Sequence, residues 1–531
     1  MMRVRPTENI LGALWKSAVT EVLARQAGAS TTAPGQDISN SVLEGTERYL
    51  DALDHGRALK APAGRSDTDP DVAAYLAQLH HQLACANLNN DPALQASITA
   101  QLQQYKYGNP LWQQMLVQYF EYYAQYPYHH GGKPKYRSWQ APEFGKGDPQ
   151  YAVIPWRLPA KARIAIVGDI GTGTDDAAAV LVAALSFRPD AILHVGDVYY
   201  SGTTFEVEHR FVGLFESVFK AQKFRAPVFT VPGNHEYFVG AGPFLKCIDS
   251  GRLATSPDQH QSASYFCLRT EDNAWQFLGM DTGFYGHTMA VTPAAEQAAL
   301  QILHGRDPAV PLSPPAPPTT AQAKLPVELP APSGDPVVSL RDDEVAWHQQ
   351  KLDQFAGRSI LLSHHQLYSA VQVCGVAQAT VTGADGKAAP DAKDFNRIWV
   401  NTKIWRQIGK NFGSRVAAWF WGHEHNLGIY QDAYRPADWP TDGDNIFRTL
   451  PKGRCVGHSA IPVAQTENPY AQTYPVPLKD AKYQLGLTAG WYNRGFQILE
   501  LAGGSNASTV RYFQVVGVDP KPGLVYQEQI I

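Results

Sequence analysis

The sequence predicts an α/β body built on a largely parallel sheet, preceded by a mainly helical N-terminal segment. Three observations carry that expectation. After residue 160, short apolar runs alternate with stretches of helical length, the pattern of βαβ units. Those runs are apolar at successive positions, as strands covered on both faces are. Before residue 150 the apolar positions recur instead at three- and four-residue spacing, which is the helical period.

Bulk properties bound the answer. At 531 residues the chain is too long for one ordinary domain and suits about three units. Hydrophobic residues make up 44% and charged residues 18%, a soluble globular composition with ample core material. The formal net charge of -4 leaves no cationic excess for nucleic acid or an anionic membrane. No apolar run reaches the roughly 18 residues of a transmembrane helix. The N-terminal MMRVRPTENILGALWKSAVTEVLARQ is interrupted by Lys16, Thr20 and Glu21, so it lacks a secretory apolar region. Cysteines at 85, 247, 267, 374 and 455 are odd in number and form no CxxC pair. Buried free thiols and a cytoplasmic location are therefore expected.

In chain order, Ile10, Leu14, Val19 and Leu23 share a helical face, and Ser39 precedes a second apolar pattern from Val42 to Leu53. Val72 to Leu88 gives a third helix, and Pro110 opens the aromatic run LWQQMLVQYFEYYAQY, read as core. Residues 135–160, rich in Pro, Gly and Lys, read as a connector, which sets domains at 1–150 and 160–531. Strands follow at 163–167, 191–195, 227–231, 359–362 and 415–421, with helices at 175–186, 206–220, 342–355 and 398–411. The Pro/Ala-rich stretch 305–340 reads as a surface insertion, and 380–393 as a smaller loop. FQILEL at 496–501 and TVRYFQVV at 509–516 are closing strands.

Five polar clusters each follow a predicted strand: GDIG at 168–171, GDVYY at 196–200, GNHE at 233–236, LLSH at 361–364 and GHEH at 422–425. Each alone reads as a turn or a cap. In an open α/β sheet, however, ligands bind beyond the carboxyl ends of strands, so five distant segments can meet on one rim. Carboxylates, imidazoles, an amide oxygen and a phenol form a mixed N/O set that suits iron, manganese or zinc.

The order GD…GDxxY…GNHE…H…GHxH resembles the calcineurin-like metallophosphoesterases, and within them the purple acid phosphatases. Most of the wider class carry GDxH first, whereas this chain has Gly171 there and supplies Tyr200 three residues after Asp197. The resemblance implies a sandwich of two mixed β-sheets flanked by helices. It implies that Asp169, Tyr200 and His425 hold a first metal, expected to be Fe(III). Asn234, His364 and His423 would hold a second, Fe(II), Zn or Mn, with Asp197 bridging the two. Tyr199 is the rival phenol, but it falls at the wrong offset. Two such cations clamp a phosphate and acidify a bound water, so that hydroxide attacks phosphorus in line. His235 and His365, each beside a ligand, are candidates for stabilising the phosphate or protonating the leaving group; either could instead steady its neighbour.

The expected activity is hydrolysis of small phosphate monoesters. Phosphodiester cleavage is the alternative, and a non-catalytic binding protein a third reading. The resemblance covers about 160–300 and 340–500. The first 150 residues do not look like the β-sandwich domain of large plant enzymes.

Overall fold

The computed structural model describes residues 10–29, 34–64, 66, 69–105, 110–126, 134–286, 301–302, 305, 338–372, 374, 399–413, 415–434, 449–504 and 506–531. Most of the Pro/Ala-rich stretch 305–340 and all of the loop 380–393 lie outside the described residues. The chain divides into two compact units. One spans Pro134–Met289 and Pro336–Ile531, the other Arg5–Lys133 with Ala290–Asp335.

The smaller unit is helical: α1 (Ile10–Ala29), α2 (Pro34–Asp54), α3 (Pro70–Leu88), α4 (Pro92–Gln103) and α5 (Pro110–Gln125). Asp69 and Asp91 cap α3 and α4, each followed by a proline whose missing N–H no helix start needs. The aromatic run of α5 packs inward. Trp15 stacks on His81 at 5.4 Å, and Tyr119 and Tyr49 bond the two nitrogens of that ring at 3.1 and 3.0 Å.

In the larger unit the boundary falls earlier than composition suggested. Tyr136 stacks on Tyr265 and donates to Glu344 at 3.0 Å, and Trp139 Nε1 donates to the Asp343 carbonyl at 2.7 Å. Two aromatic anchors thus tie the Pro/Gly-rich "connector" to this unit.

Two sheets stack here. A seven-stranded sheet runs β1 (Val153–Leu158), β5 (Phe266–Thr270), β6 (Trp275–Gly279), β7 (Arg358–Ser363), β8 (Val416–Trp421), β10 (Gly453–Val456), β9 (Leu427–Ile429). A six-stranded sheet runs β15 (Asp519–Ile530), β14 (Ser508–Val516), β13 (Arg494–Glu500), β2 (Arg163–Val167), β3 (Ala191–His194), β4 (Val228–Thr230). A small hairpin pairs β11 (Leu487–Thr488) with β12 (Trp491–Tyr492). Both large sheets are mixed. β2, β3 and β4 are parallel while β13 joins antiparallel; β6, β7, β8 and β10 are parallel while β9 and β5 are antiparallel to their partners β10 and β6.

Alternation along each strand feeds two cores. Ile164, Ile166, Leu193 and Phe229 face Phe277, Ile360, Leu362 and Phe420 between the sheets. The intervening Ala165, Val167 and Ile192 lie under α6 (Asp175–Leu185), and Leu361, Trp419 and Trp421 under Trp347 and Leu352 of the helix Asp342–Gln354. Both faces of these central strands are therefore buried, which is why they read as continuous apolar runs. The result is the helix-flanked sandwich of two mixed sheets expected above. Among the described residues no helix is long and apolar enough to cross a membrane. All five cysteines are buried and unpaired with one another.

Candidate metal centre

The parallel strands β2, β3, β4, β7 and β8 end at one rim, and the five polar loops begin there. Close backbone packing fits them together. The Asp169 N–H bonds the Gly196 carbonyl at 3.0 Å, and the Gly422 N–H bonds the His364 carbonyl at 2.9 Å. A Cβ on Gly233 would stand 2.0 Å from Asp197 Oδ1, and one on Gly422 would stand 2.6 Å from Asp169 Oδ2. These glycines let the loops close on the carboxylates. Asp169, Asp197 and His423 sit at φ +59°, +75° and +66°. Left-handed backbone in non-glycine residues costs about 1–3 kcal/mol each and gathers where surrounding structure holds a site in place.

Asp197 is the hub. Its Oδ2 lies 3.3 Å from His364 Nε2 and 3.8 Å from His235 Nε2, and its Oδ1 accepts the His235 N–H at 3.3 Å. Burial opposes its charge, but His364 and His235 outweigh that and hold the carboxyl well below the usual range. His364 Nδ1 faces the Val195 carbonyl at 2.9 Å, which aims Nε2 inward. That one nitrogen then meets Asn234 Oδ1 at 3.1 Å and His423 Nδ1 at 3.2 Å as well as Asp197. A single N–H cannot serve three such partners, whereas a cation among them can. Burial, and then the His364 charge, hold the His423 imidazole well below its usual range.

The second lobe holds Asp169, Asp197 and His425. His425 Nε2 lies 3.5 Å from Asp169 Oδ1, and its side chain keeps 17% exposure, the open side of the site. Between the two GHEH histidines, Glu424 is buried against Ser369 and Tyr430. Among the described residues, two groups of potential metal donors result: Asp169, Asp197 and His425, and His364, His365 and His423, the donor atoms of each within 4.8 Å of one another. Carboxylate, imidazole and amide donors converging on one buried rim fit metal cations of the borderline class.

Two placements differ from the sequence expectation. The hydroxyl of Tyr199 lies 2.8 Å from Asp169 Oδ1, 2.9 Å from Asp197 Oδ2 and 3.0 Å from His425 Nε2. Tyr200 instead lays its ring under the Arg210 guanidinium at 4.7 Å. His365 also falls among the donors, with its ring held by Thr282, whose Oγ1 accepts the His365 N–H at 3.0 Å and pairs with Nδ1 at 3.0 Å. His235 stays at the rim, Nδ1 on the Tyr200 carbonyl. Sequence reasoning missed Thr282, Glu206 and Arg210, because none lies in a motif and only the fold brings them here.

Behind Thr282 lies a buried acidic pair. The Asp281 N–H donates to Glu344 Oε1 at 2.8 Å, and Tyr237 donates to Asp281 Oδ2 at 2.6 Å. Burial pushes Glu344 from its ordinary 4.5 up to about 8, and burial together with Glu344 pushes Asp281 up to about 7. A folded-state pKa above the unfolded value means extra bound protons in the fold, so stability is full below pH 4.5 and falls as pH rises through 8. Glu344→Gln removes that titration. Unfolding free energies from urea titrations at pH 5 to 9 are expected to fall less steeply in the variant, by on the order of a few kcal/mol at the alkaline end. Parallel curves would reject the assignment.

Residues 162–427 match the family described as calcineurin-like phosphoesterase. No curated protein matches the chain. Among solved structures, the chain is similar to a purple acid phosphatase from seeds of yellow lupin (Lupinus luteus), at 12% identity and a TM-score of 0.34 over 70% of this chain. The matched region is 54% of that protein, about half its length.

Proposed function

We propose that this chain, which belongs to the calcineurin-like phosphoesterase family, hydrolyses phosphate monoesters at a two-metal centre of the purple acid phosphatase type. The observation that carries the reading is the convergence of two donor groups on Asp197, in the order and positions of the family's motifs. Asp169 and His425 with a tyrosine would hold one ion, expected to be ferric. Asn234, His364 and His423 would hold the other, a divalent iron, zinc or manganese, with Asp197 shared. When bound, such a pair clamps the phosphate and activates water for in-line attack.

The chain's own groups do the rest. Val195, through its carbonyl, fixes the tautomer of His364, and Thr282 fixes the ring of His365. His235, with Nδ1 on a backbone carbonyl, has Nε2 left toward the site and is placed to steady the phosphate or protonate the leaving oxygen. The apolar walls between the sheets keep water from the rear of the site and strengthen each of these interactions. Five buried thiols suit a reducing compartment.

Metal analysis together with rates on mono- and bis-(nitrophenyl) phosphate tests the reading. Two metals per chain and faster monoester turnover are expected. Faster diester turnover moves the substrate class to phosphodiesters. A metal-loaded protein inert toward both esters sinks the proposal.

A further inference from the structure

Resting on the two-metal reading above, we infer that Tyr199, not Tyr200, is the tyrosine that offers its phenol oxygen to the metal pair. The spacing rule of the resembling family selects Tyr200, so the inference departs from it. Geometry carries it. The Tyr199 hydroxyl contacts both candidate carboxylates and His425, at 2.8, 2.9 and 3.0 Å. Those three partners are the whole of one donor group. A phenol surrounded by two carboxylate oxygens and an imidazole nitrogen stands where a cation held by them would touch it.

The backbone fixes the choice between neighbours. The Tyr199 N–H donates to the Gly171 carbonyl at 2.9 Å, within a parallel bridge between Gly171 and Val198. The Tyr199 carbonyl accepts from Arg210 at 3.1 Å. Glu206, wholly buried, accepts the N–H groups of Tyr200 at 2.5 Å, of Ser201 at 3.0 Å and of Thr203 at 3.1 Å. Arg210 lies over the Tyr200 ring at 4.7 Å, the arrangement in which a cation is drawn to an aromatic face. The peptide groups on both sides of Tyr199 are pinned, and Arg210 occupies Tyr200. Glu206 and Arg210 are thus positioning residues for the phenol, supplied by the turn Thr204–Glu206 and the π-helical turn Val207–Val212 that follows it. Single π turns recur at functional sites.

The test uses the full-length chain loaded with iron, as wild type, Tyr199→Phe and Tyr200→Phe. Two readouts are taken: the visible phenolate-to-ferric absorption band, and metal affinity by chelator competition. Tyr200→Phe is expected to keep the band and the affinity. Tyr199→Phe is expected to lose the band and to bind metal at least about tenfold more weakly. Loss of the band in Tyr200→Phe, or its survival in both variants, overturns the assignment while leaving the two-metal reading intact. Iron-loaded, active wild type without any band also overturns it. Wild type that takes up no metal and hydrolyses nothing sinks both. Should Tyr199→Phe not fold, Tyr200→Phe decides alone, because keeping or losing its band bears directly on which ring ligates.

Discussion

Asp197→Ala is expected to lower turnover of nitrophenyl phosphate by roughly a thousandfold or more and to remove at least one of the two metals per chain. This carboxylate belongs to both lobes, touching His364 on one side and Tyr199 on the other. Under the two-metal proposal its loss weakens both ions, not one. Metal stabilisation of transition-state charge is worth several kcal/mol, and about 4 kcal/mol corresponds to three orders of magnitude in rate. Alanine is also strained at φ +75°. Asp197→Asn separates the two effects, because asparagine tolerates the left-handed region but lacks the charge. The Asn variant is expected to melt near wild type and to hydrolyse as poorly as the Ala variant. Metal per chain from elemental analysis, thermal melts and steady-state rates check this. Wild-type turnover in Asp197→Asn would remove the carboxylate from the centre.

His235→Ala is expected to reduce kcat by about a hundredfold to ten-thousandfold, the range for a lost general acid, while both metals stay bound. The side chain is buried at the rim, and its Nε2 is 3.8 Å from Asp197 Oδ2. It lies within 4.6 Å of the Tyr199 ring, centre to centre, so it borders both lobes. A residue acting on phosphate or leaving group changes kcat; one that only props Asn234 changes metal affinity first. Measuring the two separately distinguishes these roles, and an unchanged kcat rejects the catalytic one.

Much of this architecture was legible in the sequence where two periodicities agreed. β2, β3, β7 and β8 are apolar on both faces because both faces are buried, so each run stood out and pointed to the polar pair after it. β1, β5, β9 and β10 were not visible. β1 is interrupted by Pro155 and Arg157, β5 carries Arg269, β9 has three residues, and β10 includes Arg454, whose guanidinium is buried against Glu528. A charged residue neutralised by a partner 74 positions away leaves no local trace. The attachment of residues 134–150 left no local trace for a similar reason: Tyr136 and Trp139 find their partners more than a hundred residues later. Within the site, the motif loops that meet at the rim were visible as polar clusters after strands. Which of two adjacent tyrosines points inward could not be read, because that depends on Glu206 and Arg210 holding the turn.

The close approach of Gly171 to the neighbouring loop has an evolutionary consequence. Any side chain added there would meet the Asp197 carbonyl at 2.6 Å and the Val198 Cα at 2.7 Å. A lineage carrying histidine at that position could not drift into the present arrangement one substitution at a time, nor could this chain drift back. Both loops would have to shift together. Stepwise mutational paths from glycine to a larger residue here pass through proteins whose second loop no longer fits.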